Sequence, residues 1–183
     1  MSGKRATYTS DGNPKAKGVE VSFDYPVSWG GADGKRPNTL YQVTSEGGKG
    51  LELCNLVIKD IPLPVGYTVT PQDVAQLFEP HSLKDFSPND TQFITGAKTT
   101  IDGQPAAWIN FVQEMDRAGI QLRMIWITYP IYIDKKLIIF GCSVGDSASK
   151  PSEELQRRYK VYFPLFQQMA NSIVIHSKWK GRP

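Results

Sequence analysis

Residues 94–145 read ITGAKTTIDGQPAAWINFVQEMDRAGIQLRMIWITYPIYIDKKLIIFGCSVG, and this stretch decides the fold. Three turn signals cut it. Asp102-Gly103 is a hairpin dipeptide, with Thr99, Thr100 and Ile101 before it and the apolar run 106–112 after it. Asp116-Arg117-Ala118-Gly119 is a polar turn ending in glycine, and Asp134-Lys135-Lys136 separates two strongly apolar runs. Connections this short leave no room for a helical crossover, so neighbouring strands are expected to pair antiparallel.

The segment 120–133 is apolar on both faces at its centre. Ile120, Leu122, Met124 and Trp126 point one way; Ile125, Ile127 and Tyr129 point the other, joined at the polar end by Gln121 and Arg123. The same holds for residues 137–144. A strand that is apolar on both sides is covered on both sides. The expectation is therefore an α+β fold: an α/β/α sandwich whose central, mostly antiparallel sheet carries helices or long loops on both faces. Pro130 cannot donate to a ladder, so it is expected at a bulge or where pairing ends. No run approaches the ~20 uninterrupted apolar residues of a membrane-spanning helix.

Working outward, residues 19–25 alternate as a half-buried strand, and Pro26 ends it. The loop 30–38, GGADGKRPN, has glycine and lysine near phosphate-loop spacing. It is one residue short, places Arg36 where Ser or Thr would bind magnesium, and is followed by no helix. It reads as an exposed, basic, mobile loop. Residues 40–45 and 51–61 are further strands, separated by a turn at 46–50. Thr70-Pro71-Gln72-Asp73 opens a short helix, with Thr70 as N-cap and Pro71 at the first helical position, and Pro80 closes it. Residues 81–91 read as a polar loop. The last helix opens at Pro151-Ser152 with Glu153 and Glu154 in its first turn. Its apolar stripe includes Leu155, Tyr159, Phe166 and Met169, and Pro164 is expected to kink or split it. Residues 173–175 finish as a short strand.

At 183 residues with net charge +3, the chain reads as one domain at 18–176, between a flexible leader at 1–17 and a basic tail at 177–183. The positive excess sits largely at the two ends, without a basic helix or interleaved aromatics, so solvated tails are expected and no nucleic acid partner. The polar start lacks the apolar core of a signal peptide. It is equally compatible with a linker that follows a removed export signal or lipid anchor, the one membrane connection considered. Asn89-Asp90-Thr91 matches a glycosylation sequon.

Cys54 and Cys142 both fall in predicted strands, and their spacing excludes a CxxC motif. Two states fit: free buried thiols, or one disulfide tying two strands in an oxidising compartment. The free state is the expectation, because a strand cysteine commonly serves as a small apolar residue. Trp29, Trp108 and Trp126 are expected to be buried and Trp179 exposed.

Chemistry is sparsely signalled. His81 and His176 are the two histidines; there is no G-x-S-x-G elbow and no H-x-x-x-H pair. Neither a cofactor nor a metal site is expected, and the chain is not expected to be an enzyme.

The segment VEVSFDYPVSW (19–29), the TTIDGQPAAWI hairpin (99–109), KLIIFGCSV (136–144) and the ending F-x-x-M-A-N-S-I (166–173) together resemble PsbP-like proteins and their Mog-type relatives across roughly residues 19–176. That resemblance implies an α/β/α sandwich and a mostly non-enzymatic role. Within it, the bacterial exported branch of DcrB-like lipoproteins fits best. The expectation is a periplasmic protein-binding accessory protein, such as an immunity or inhibitor protein that neutralises a secreted toxin. Its partner would be a toxin, an effector or an envelope protein, met through Asp33, Lys35 and Arg36 of one loop and His81, Lys84 and Asp85 of another. One alternative is a cytosolic chaperone or adaptor of a type VI secretion effector, which predicts an uncovered sheet face. Another is a small-ligand-binding protein or hydrolase that pairs His81 with a carboxylate such as Asp85.

Overall fold

The computed structural model describes residues 3–117 and 119–179. The first two residues of the expected leader, Ala118 in the second turn of the strand block, and residues 180–183 of the basic tail lie outside them. In chain order the elements are β1 (Arg5–Thr9), β2 (Val21–Pro26), β3 (Gly30–Asp33), β4 (Thr39–Thr44), the single turn α1 (Ser45–Gly48), β5 (Glu52–Asp60), α2 (Pro71–Leu77), β6 (Thr91–Ile101), β7 (Gln104–Arg117), β8 (Ile120–Ile133), β9 (Lys136–Ser147), α3 (Ser152–Asn171) and β10 (Val174–Ile175). Short 3-10 turns occupy Pro14–Ala16, Leu83–Phe86 and His176–Lys178.

The strand block folds as its punctuation requires. Asp102 and Gly103 take φ of 48° and 66°, the left-handed pair of a tight hairpin, and join β6 to β7. Gly119 N–H donates to Asp116 Oδ1 at 2.9 Å in the next turn. Asp134 and Lys135, at φ of 44° and 62°, join β8 to β9. All neighbours pair antiparallel in one seven-stranded sheet, ordered β3-β4-β5-β9-β8-β7-β6. Pro130 sits where the β7–β8 ladder lapses, between the pairs Ala106↔Ile131 and Ile109↔Thr128.

The two faces are covered differently. On the first, Ile127, Tyr129 and Ile131 of β8 stand beside Cys142, Phe140 and Ile138 of β9, under α3 and the small sheet β1-β2-β10. α3 brings Leu155, Phe166, Met169 and Ala170 onto this face, all buried. Each fully buried Ile, Leu, Met or Phe contributes about 1.5–3 kcal/mol of transfer free energy, which makes this layer the main source of stability. On the second face, Phe78 and Leu83 from the α2 region cover Ala107, Ile109 and Phe111 of β7. Gly96 makes this possible: a Cβ there would stand 2.8 Å from the Trp108 carbonyl and 3.3 Å from Leu83. Farther along the same face, Leu53, Asn55 and Val57 of β5 and Leu137 and Ile139 of β9 are only half-buried. Trp29 is buried, Trp108 and Trp126 are half-buried, and Trp179 is exposed.

Four expectations need correction. The leader is ordered from β1 onward: β1 pairs with β2, and Tyr8 stacks on Tyr41 with ring centroids 4.2 Å apart. Residues 30–33 of the expected mobile loop form edge strand β3 on β4, and Lys15 Nζ donates to the carbonyls of Gly34 and Arg36 (the latter at 3.3 Å), tethering the rest. α3 is not split at Pro164 but continues as one helix, because proline removes a single hydrogen bond whereas the flanking apolar side chains hold both halves on the sheet. Finally, Cys54 and Cys142 are not free. They face each other across β5 and β9 and form a disulfide, with Met169 packed 4.0 Å from Cys54 Sγ.

The start of α2 matches the sequence reading. Thr70 Oγ1 accepts from Asp73 N–H at 3.2 Å, and the Asp73 carboxylate accepts from Thr70 N–H at 2.8 Å, a reciprocal capping box. Thr70→Ala is expected to lower stability by about 1 kcal/mol, read as a drop in the urea midpoint.

Candidate functional site

The six residues singled out from sequence fall into two separate groups. His81 and Asp85 line one groove of about 680 Å³, together with Asp73, Gln76, Leu77, Ser82 and Phe86. Lys84 lies on the same 3-10 turn and is exposed. Asp33, Lys35 and Arg36 are exposed on the β3–β4 side. β3 and β6 are the opposite edges of the seven-stranded sheet, about 29 Å apart at the usual strand spacing, and the two groups lie toward different edges.

The groove is built on an apolar base. Leu83 is buried against β7, which fixes the 3-10 turn. Phe78 and Phe86 stack at 5.7 Å, locking the end of α2 to that turn. Pro80 breaks the chain between them, so His81 and Asp85 project from a short, rigid corner rather than a floppy loop. Asp73 reaches the groove from the first turn of α2, whereas from sequence it marked only the helix start. Hydrogen bonds from the Thr70 amide, then from the Thr70 and Tyr67 hydroxyls, hold its carboxyl below the ordinary range. The groove thus offers two carboxylates, an imidazole and apolar walls.

Elsewhere, a cleft of about 500 Å³ at the ends of β5 and β9 is lined by Asp60, Tyr67, Asp134, Lys135 and Lys136, among others. Asp60 is engaged by Lys17 at 2.6 Å. His176 Nε2 lies 2.8 Å from Ser22 Oγ, and this pair joins the C-terminal turn to β2. Among the described residues no three His, Cys, Asp or Glu side chains converge as a metal site. No helix among them is long and apolar enough to cross a membrane. On the half-open second face, the buried Trp126 Nε1, Thr128 Oγ1 and Ser143 Oγ have no hydrogen-bond partner among the described residues.

No family model and no curated protein matches this sequence. Solved structures do. The chain is similar to cyanobacterial PsbP (CyanoP) from Synechocystis sp. PCC 6803, at 19% identity and TM-score 0.53, covering 96% of this chain and 94% of that one. It is similar to the Ran-binding protein Mog1p of Saccharomyces cerevisiae, at 8% identity and TM-score 0.55, covering 95% and 96%. LpqN of Mycobacterium tuberculosis, involved in cell envelope biogenesis, aligns at 12% identity and TM-score 0.47 over 93% and 91%. The chain therefore has the α+β fold shared by PsbP-like and Mog-type proteins, the fold its sequence resembles.

Proposed function

We propose that this chain is a non-catalytic protein-binding protein whose partner docks at the groove between α2 and the Leu83–Phe86 turn. The observation that carries this reading is the convergence of His81, Asp85 and Asp73 with Leu77 and Phe86 on a rigid, outward-facing corner. Aromatic and apolar surface rimmed by charge is the usual composition of a protein contact. The buried cross-strand disulfide supports a role in an oxidising compartment, in line with a periplasmic or otherwise exported accessory protein. Within that class, an immunity or inhibitor protein against a secreted toxin is the specific role we favour. The test is affinity capture from envelope fractions of the native organism with the purified chain as bait. Recovery of a single toxin or envelope enzyme, whose activity falls on mixing, is expected. An empty capture would sink the proposal.

One observation favours a second reading. The half-buried Val57, Leu137 and Ile139, with Leu53 beyond Asn55, leave apolar surface on the second sheet face, which also holds three buried polar atoms without partners among the described residues. A chaperone of a secreted effector needs such a surface. Recovery of an effector with apolar helices, lost on Val57→Lys, would select it.

A further inference from the structure

We infer that this chain self-associates through β6, pairing antiparallel with the β6 of a second copy. The two sheet edges differ in how they are guarded. β3 has four residues, two of them glycine, and ends in Asp33. β6 has eleven, and its first seven, residues 91–97, carry neither a charge nor a proline. Edge strands are normally protected by shortness, charge, proline or a bulge, and over this stretch β6 has only the last, between Phe93 and Thr95. It also exposes large apolar side chains there, Phe93 at 37% and Ile94 at 52%. Ile94 is the extra residue of a bulge between Phe93↔Phe111 and Thr95↔Asn110, so β7 offers it no opposite number.

The sequence of β6 selects one register. With Ile94 on the two-fold axis, Phe93 of each copy lies opposite Thr95 of the other, an aromatic–β-branched pair. The same register brings Lys98 opposite Asp90, the turn residue just before β6, so an ion pair forms beyond each end of the new ladder. Lys98 already pairs with Glu79 of its own chain, so in the dimer its ammonium is shared between two carboxylates. No like charges meet anywhere along the ladder. The inference is independent of the groove, which lies on a sheet face rather than at the edge.

The experiment is sedimentation equilibrium of the full chain over a concentration series. The wild type is expected to reach the mass of two chains. Ile94→Lys, which sets two lysines face to face on the axis, is expected to give the mass of one chain, with its circular dichroism unchanged and a melting temperature that, unlike the wild type's, does not rise with protein concentration. Asp90→Lys is expected to weaken the dimer, and adding Lys98→Asp to that variant is expected to restore it. A wild type that stays monomeric throughout, or a dimer indifferent to Ile94→Lys, would overturn the inference.

Discussion

Replacing Arg158 with methionine is expected to lower the unfolding free energy by about 3 kcal/mol at pH 7. Arg158 reaches down from α3 between two carboxylates that the fold has taken out of water. Its Nη2 donates to Glu52 on β5, and its Nη1 donates to Asp146 on β9 at 2.9 Å and to the Gly145 carbonyl at 3.2 Å. The carboxylate side chains are only 4% and 7% exposed. Ser45 Oγ donates to the other oxygen of Glu52 at 2.6 Å, and Lys150 lies 3.1 Å from Asp146. Removing the guanidinium strands buried negative charge, which costs about 3–5 kcal/mol in well-enclosed pairs. The low end applies because Lys150 remains and Arg158 is itself 27% exposed.

The same network sets the acid response. Burial alone would raise both carboxyls. Hydrogen bonds from Ser45 and Arg158 outweigh it at Glu52, and contacts from Lys150, the Ser147 amide and Arg158 outweigh it at Asp146, so both lie below their ordinary values. A carboxyl depressed in the folded state contributes stability above its unfolded pKa of about 4, and that contribution is lost as pH falls through the folded value. Wild-type stability is therefore expected to decline below about pH 4.5. In Arg158→Met the carboxyls lose the cation that offsets their burial, so protonation relieves the variant. The gap between the two proteins is expected to narrow on acidification. Urea unfolding of both at several pH values measures it; a gap that widens toward low pH would refute this assignment.

The second large effect is expected at the disulfide. Cys54 and Cys142 are 88 residues apart, and closing a loop of that length restricts the unfolded chain by about 4.6 kcal/mol. Cys54→Ala/Cys142→Ala is expected to lose most of that, with a steeper denaturant dependence as the unfolded chain expands. Urea unfolding of the wild type with and without reductant gives the complementary reading. Identical midpoints would mean that the thiols are not joined.

The sequence announced the sheet well because its information is local. Asp102-Gly103 and Asp134-Lys135-Lys136 specify their turns within a few residues, and the two-sided apolar strands predict layers on both faces. β1 was hidden for the opposite reason. Its one buried side chain, Tyr8, is placed by stacking on Tyr41, far along the chain, and nothing within residues 1–17 reveals that. β3 was hidden by its glycines, which read as loop. The Arg158 network joins residues up to 106 apart, and a lone arginine on a helix gives no hint of it. The disulfide was legible only as an alternative, since strand register is what brings Cys54 opposite Cys142. In the groove, His81 and Asp85 share one short turn and could be grouped from sequence. Asp73 could not, because its place depends on how α2 packs.

The most direct test of the docking proposal is parallel affinity capture with two variant baits. One carries His81→Ala and Asp85→Ala; the other carries Asp33→Ala, Lys35→Ala and Arg36→Ala on the far edge of the sheet. The partner recovered by the wild type is predicted to be lost from the first and kept by the second. Unchanged recovery with the His81→Ala/Asp85→Ala bait would contradict the account.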